Sequence, residues 1–282
     1  MFPMPTSRIG IGCATLSMAT GRDFAGGQAT LHTALDGGIR LIDTAAAYVP
    51  TGDNPNHNEK LIAAALRTWD GPRDDVTVVT KSGYYRRGDE FVRDGNPRLL
   101  VATAELALKA LEVDVLDVLL LHAPDPQVPI AESVGGLRQL LDVGKIRAAG
   151  VSNVSLEELR EAQSACPIAV VQNRFSPDHP GRDVFDACES EGIAFMAYSP
   201  VGGDGGGRTL GERHPAFAQV AVALKASPQQ VALAWEIGLG AQMFPVSGAS
   251  RSETARNTAS ALDIDLDAES AARLSRAVFS AG

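Results

Sequence analysis

Cysteine is scarce: Cys13, Cys166 and Cys188 are the only three among 282 residues, and no C-x-x-C pair occurs. An odd, scattered set argues against a disulfide framework and fits a reducing compartment. Long apolar runs are missing too; none approaches the ~18 residues that a membrane helix needs. The opening MFPMPTSRIGIG lacks a charged start followed by a hydrophobic block, so no secretory signal is expected. Basic residues are in deficit, 25 Lys and Arg against 34 Asp and Glu, for a net charge of −9. A negative surface suits neither polyanions nor anionic bilayers, so nucleic acid and membrane are not expected partners. The five histidines, His32, His57, His122, His179 and His214, have no metal-ligand spacing. These absences imply a cytoplasmic protein without a resident metal.

What is present is an ordinary globular mixture, 45% hydrophobic and 21% charged. Such a chain can bury a large core, and α/β barrels routinely use about 250 residues as one domain. No composition break divides the sequence, so residues 1–282 are expected to form a single domain.

Short β-branched runs alternate with longer amphipathic stretches. The expected strands are Arg8–Ala14, Gly38–Asp43, Val76–Lys81, Val115–His122, Ile146–Val151, Ile168–Gln172, Ile193–Tyr198 and Gly240–Val246. Helical patterns include Asn58–Arg67, Arg98–Leu111, Ile130–Asp142, Leu156–Gln163 and Arg182–Ser190. The best-marked helix has Ser227 as N-cap and Pro228 in its first turn, and a last one is expected around Glu253–Ala261. Runs such as VLDVLLLH are almost continuously apolar, as strands buried on both faces of a parallel sheet are. Glycines at helix-to-strand joins, Gly37-Gly38, Gly144, Gly192 and Gly238, suggest left-handed helix ends. Eight such units imply a (β/α)8 TIM barrel. A doubly wound open sheet is the rival, but Gly10-Ile11-Gly12-Cys13-Ala14-Thr15 lacks the third glycine of its phosphate-binding turn. The glycine-rich patch Gly202–Arg208 reads either as a flexible surface loop or as a backbone cradle for a phosphate.

In such a barrel, reactive side chains belong where strands end. Asp43 closes RLID, Tyr48 follows five residues later, Lys81 ends VTVVTK and His122 ends VLLLH. Each alone has a plain structural reading: a turn cap, a solvated charge, a satisfied histidine, an aromatic lid. Together they form a device for protonating an oxygen. A phenol ionises near pH 10, too high for an efficient acid at neutrality. An ammonium about 4 Å away favours the phenolate by roughly 4 kcal/mol at an effective dielectric of 20, or about three pKa units at most. Asp43 would hold Lys81 charged, and His122 would position a carbonyl oxygen. That chemistry fits carbonyl reduction beside a hydride donor.

DTAAAY, VVTK and LLLHAPDP resemble the catalytic tetrad motifs of the aldo-keto reductases. The similarity runs on through GKIRAAGVSNVS, VVQNRFSP, AYSPVG, SPQQVALAW and PVSGASRSETARNTA, in the family's order. The resemblance implies a barrel that binds NADPH, or NADH, in an extended pose and reduces a small-molecule carbonyl. It makes Tyr48 the general acid, tuned by Lys81 and Asp43, with His122 orienting the carbonyl. Ser152, Asn153 and Gln172 match positions that hold the nicotinamide carboxamide, and Tyr198 matches the aromatic on which that ring stacks. Ser199, Gly202 and Gly203, with Gly248, Ser250 and Arg251, would approach the pyrophosphate ahead of a helix N-terminus. Arg256 and Asn257 follow on that helix.

Two departures bear on the cofactor and the substrate. Glu253 stands where many relatives carry a basic residue, and Arg256 where they carry an acid, so Arg251 or Arg256 would have to serve the 2′-phosphate. The chain ends at Gly282 without the longer tail of steroid-reducing relatives, which suggests a wide mouth, and the polar insert Thr51–His57 is expected to line it. Gly83–Asn96 reads as a long loop whose Arg86, Arg87 and Arg93 either meet an anionic group or are solvated. TKSGYYRRGDEFVRDGNPRLL and GKIRAAGVSNVSLEEL look most like a bacterial branch that includes pyridoxal reductases, which suggests a pyridoxal-like substrate. The alternatives are a cofactor-binding sensor or regulatory module with little turnover, and a Schiff-base lyase using Lys81. The sequence leaves the oligomeric state open.

Overall fold

The computed structural model describes residues 5–18, 23–50, 55–88, 90–203 and 205–280. Eight parallel strands close on themselves: β1 (Gly10–Gly12), β2 (Leu41–Asp43), β3 (Thr77–Ser82), β4 (Leu116–Leu121), β5 (Ile146–Ser152), β6 (Ile168–Arg174), β7 (Ala194–Tyr198) and β8 (Met243–Gly248). Each pairs with its neighbours in sequence, and β1 pairs with both β2 and β8, which closes the barrel. Every expected strand is found, several of them shorter; only three residues of the run Arg8–Ala14 pair.

An outer helix follows each strand: α1 (Phe24–Asp36), α2 (His57–Thr68), α3 (Pro97–Leu111), α4 (Ile130–Asp142), α5 (Leu156–Ala165), α6 (Asp183–Glu191), α7 (Pro228–Ile237) and α8 (Ser252–Ala259); a short helix over Ala14–Met18 precedes α1, and helices over Leu210–Arg213 and Pro215–Leu224 precede α7. Their starts obey local chemistry. Asn96 accepts the Arg98 amide ahead of α3, while Ser155 with Glu158 and Ser227 with Gln230 form reciprocal capping boxes on α5 and α7.

Three expectations are corrected. Gly83–Asn96 is not an open loop: Tyr84–Arg87 and Glu90–Arg93 pair as an antiparallel hairpin. The helix around Glu253–Ala261 is not the last, because Ala268–Phe279 follows and packs Phe279 against Trp235, whose indole donates to Ser275 Oγ at 3.0 Å. Gly238 closes α7 in a right-handed conformation (φ −69°), whereas Gly38, Gly144 and Gly192 do have positive φ. Of the insert Thr51–His57, residues 51–54 lie outside the described residues.

The period-two alternation of the strands makes the site. Leu41, Val79, Val118, Leu120, Ala148, Val170, Ala194, Met196, Phe244 and Val246 fill one inner cluster. Two residues beyond its topmost members, on the same faces, stand Asp43, Lys81, His122, Gln172, Tyr198 and Gly248. A plug of apolar side chains therefore forms the floor on which the polar groups rest. Gly150 lets β5 approach β6: a Cβ there would lie 2.2 Å from the Val170 carbonyl oxygen.

Glu236 on α7 is fully buried, and both carboxylate oxygens lack a hydrogen-bond partner. Burial pushes its ionisation well above the ordinary carboxylate range. The folded state thus keeps a proton that the unfolded chain releases above about pH 4.5, so this residue costs more stability as pH rises. Glu236→Met should raise the unfolding free energy by about 1–3 kcal/mol at pH 8 and by less at pH 5, as measured by urea denaturation at both values.

Candidate active site

Lys81 is wholly inaccessible to solvent, an expensive place for an ammonium, and three oxygens surround it. Its Nζ donates to Asp43 Oδ1 at 2.6 Å, to the Thr44 carbonyl at 2.8 Å and to Tyr48 Oη at 3.4 Å. Because the phenol oxygen accepts from Lys81, the phenol hydrogen remains free to donate into the cavity above. Burial alone would lower the lysine's pKa, but Asp43 and then Tyr48 outweigh it and the net shift is upward. Lys81 is therefore an ammonium held charged, unsuited to attack a carbonyl as the Schiff-base alternative requires.

The expected lowering of the phenol is not found in the cofactor-free protein. Desolvation pushes Tyr48 above its ordinary value; Lys81 opposes this and Asp43 reinforces it. The attraction between Tyr48 and Lys81 is outweighed by the dry surroundings of the phenol, which the spacing of residues along the chain does not reveal.

The other partners are fixed by the strands next to these. Gln172 on β6 donates from Nε2 to Asp43 Oδ1 at 2.7 Å, so its amide nitrogen is engaged with the ion pair. Thr44, whose carbonyl receives Lys81, is itself tied by its hydroxyl to Asn58 Oδ1 at 2.7 Å. His122 follows β4, its ring 5.8 Å from that of Tyr48 and nearly perpendicular to it. Burial and then the charge of Lys81 hold the imidazole well below its usual pKa, and its Nδ1 is buried without a partner. A neutral ring here can donate one hydrogen bond to a carbonyl oxygen. Asn153 adopts positive φ (60°); its Nδ2 donates to the His122 carbonyl at 3.0 Å, and its Oδ1 accepts the Tyr198 hydroxyl at 2.7 Å.

A cavity of about 1180 Å³ opens above this floor. Asp43, Tyr48, His122, Ser152, Asn153, Gln172 and Tyr198 line one end. Ser199, Gly203, Gly205, Gly207 and Arg208 from the segment after β7 line it as well, as do Gly248 at the end of β8 and, beyond it, Ser250, Arg251, Glu253, Arg256 and Asn257. Among the expected cofactor-binding residues Gly202 is the exception, just as Lys81 is among the catalytic ones: neither lines the cavity, and a Cβ on Gly202 would meet the Arg213–Asp178 ion pair at 2.7 and 2.9 Å. The glycine-rich patch is folded, with positive φ at Gly202, Gly203 and Gly205 and a short 3₁₀ turn over Gly206–Thr209. Arg213 holds that turn by donating to the Gly206 carbonyl at 2.8 Å. Helix α8 begins with Arg251 as N-cap and no side-chain cap, so its first amides remain available to an anion. Sequence reasoning missed Thr15, Gln229 and Tyr84 as lining residues; Thr15 directly follows the expected strand Arg8–Ala14 but is not ionisable, Gln229 falls in a helical pattern, and Tyr84 lies in a stretch that reads as loop.

The residues present fit an extended dinucleotide: amide and hydroxyl side chains at the tetrad end, glycine backbone in the middle, an uncapped helix start and two arginines beyond. Fold and site together define an NAD(P)H-dependent oxidoreductase built on a (β/α)8 barrel. A sequence model of the aldo/keto reductase family matches residues 8–278, and the chain belongs to that family. The probable aldo-keto reductase 1 of Glycine max is 29% identical over 290 residues, which span 92% of this chain and 82% of that protein. The structure of an aldo/keto reductase from Klebsiella pneumoniae in complex with NADP and acetate superposes with a TM-score of 0.79 at 26% identity, over 96% of this chain and 91% of that one. A glycerol dehydrogenase from Gluconobacter oxydans shares the fold, with a TM-score of 0.82 at 24% identity over 98% and 93% of the two chains.

Removing the lysine alone strands the buried Asp43 carboxylate. Lys81→Met should therefore lower stability by about 3–5 kcal/mol, and the double variant Lys81→Met/Asp43→Asn should recover part of that loss. Chemical denaturation of the four cofactor-free proteins measures the coupling.

Proposed function

We propose that this protein reduces aldehydes, and some ketones, to alcohols with NADPH, and that Tyr48 delivers the proton. The observation that carries the reading is the Tyr48 hydroxyl, hydrogen-bonded to a caged ammonium at the floor of a cavity long enough for a dinucleotide. The bound cofactor supplies the hydride for the carbonyl carbon. As negative charge grows on the carbonyl oxygen, Tyr48 Oη gives up its proton, and the Lys81 ammonium 3.4 Å behind it stabilises the phenolate left. Asp43 keeps that ammonium oriented, and neutral His122 fixes the direction of the carbonyl oxygen. The floor of apolar side chains keeps water from the ion pair, so each of these charges acts at full strength.

For the cofactor, Ser152, Asn153 and Gln172 suit the carboxamide and Tyr198 the nicotinamide face. Ser199, Gly203, Gly248 and Ser250 suit the pyrophosphate. Arg251, Arg256 and Asn257 line the end where a 2′-phosphate would lie, and among the described residues neither arginine is ion-paired with Glu253. Two cations against one anion favour NADPH over NADH. The hydrogen bond from Tyr198 to Asn153 braces that ring before any ligand arrives. Mixed aldehydes, a pyridoxal-like one among them, are the substrates to survey.

Tyr48→Phe removes the proton donor and leaves the shape intact. It should lower kcat/KM by about 10²-fold or more while the Kd for NADPH changes less than about twofold, as read from cofactor fluorescence; substantial remaining turnover would overturn the assignment. In the same titration NADPH should bind more tightly than NADH. Arg256→Ala should weaken NADPH by about tenfold, or 1.4 kcal/mol, with little effect on NADH; equal binding of both cofactors by the native protein would contradict the preference.

A further inference from the structure

The hairpin over Tyr84–Arg93 is folded against the rim, and Arg86 fastens it there by donating to the Val49 carbonyl at 2.8 Å, one residue past Tyr48. Tyr84 stacks on Phe91 with ring centroids 5.4 Å apart and presents its other side to His122, 4.9 Å away. Arg93 is the cross-strand partner of Tyr84 in the hairpin register. Both line the same cavity as Tyr48 and His122, whereas Arg86 and Arg87 do not. A cross-strand pair puts Cβ atoms about 5 Å apart, so Arg93 is rooted beside Tyr84, whose ring lies against that of His122.

Arg93 also borders a smaller pocket lined by Asp125, Glu158 and Glu161, and each of these carboxylates accepts at least one backbone amide and forms no ion pair with it among the described residues. Asp125 accepts the amides of Gly95 and Gln127, both at 2.9 Å; Glu158 accepts the Ser155 amide at 2.7 Å; Glu161 accepts the Ala131 amide at 3.4 Å. Asp125 sits low in pKa chiefly through those two amides, with Arg93 a minor contributor. Among the described residues the guanidinium forms no ion pair, and its one hydrogen bond is a 3.4 Å contact with the Pro124 carbonyl. The remaining cations of the cavity come from other elements: Arg208 from the turn after β7, Arg251 and Arg256 from the start and body of α8.

Resting on the reductase reading above, we propose that the substrates this site prefers are aldehydes that carry a carboxylate about one ring's length from the carbonyl, with Arg93 as the carboxylate's partner and Tyr84 as the wall that sets the spacing. A guanidinium fork matches a carboxylate in two parallel hydrogen bonds. Of the hairpin's arginines only Arg93 lines the cavity, and one guanidinium there suits a single negative charge better than a doubly charged phosphate.

The test compares 4-carboxybenzaldehyde with its methyl ester, methyl 4-formylbenzoate, by calorimetric binding to the full-length protein saturated with NADP⁺, where no reduction occurs. The acid should bind about tenfold more tightly than the ester, and less so at 0.5 M salt. Arg93→Gln should abolish the preference while leaving ester binding within about twofold, and Arg93→Lys should keep part of it. Equal binding of acid and ester by the native protein, or equal weakening of both by Arg93→Gln, would overturn the proposal. Turnover of the ester with NADPH tests the reductase reading separately: a retained binding preference without any turnover would sink that reading and leave the carboxylate site standing.

Discussion

An ammonium sealed from water depends on the oxygens around it, and here that dependence organises the rim of the barrel. Lys81 stays charged because Asp43 and the Thr44 carbonyl lie within 2.8 Å of its nitrogen. Those two residues stay in place because Gln172 from the opposite side of the barrel and Asn58 from α2 grip them. Four elements therefore converge on one cation, and Tyr48 is the place where that cation meets the cavity. The arrangement explains why the reacting phenol sits at the edge of the network: it receives a hydrogen bond from the network and keeps its own hydrogen for a substrate.

Much of this was legible in the chain. Strand positions and the residues at their ends followed from apolar runs broken by a single ionisable side chain, as in VLLLH, and the geometry of a parallel barrel brings such ends to one rim. The hairpin was not legible, because YYRRGDEFVR mixes aromatics with arginines and acids, and neither a buried-strand run nor a clean alternation stands out. Its pairing is held by ring stacking and by Arg86, contacts made only once the rim exists. Gly202 and Gly203 look alike in sequence, yet one faces an ion pair and the other the cavity; nothing short of the traced turn separates them. The acidity of Tyr48 was misjudged for a related reason, since spacing along a chain carries no information about desolvation.

Sharing one cavity among cofactor and substrate residues divides the labour by distance from the tetrad. Close by, neutral amides and hydroxyls prevail, so that the one strong field is that of Lys81. After β7 and at the start of α8, glycines and an uncapped helix end leave room for backbone amides, and Arg208, Arg251 and Arg256 stand there. On the substrate side Arg93 pairs across the hairpin with Tyr84, whose ring lies 4.9 Å from that of His122. Among the described residues no helix is long and apolar enough to cross a membrane, and no group of His, Cys, Asp and Glu is placed to hold a metal ion.

The central claim is that the phenol is held as a protonated donor by its dry surroundings and becomes labile only as charge develops in front of it. Ultraviolet difference titration of the cofactor-free protein, native minus Tyr48→Phe, isolates the ionisation of this one tyrosine. It should appear above the ordinary phenol value of about 10; a phenolate already formed between pH 7 and 9 would contradict the account.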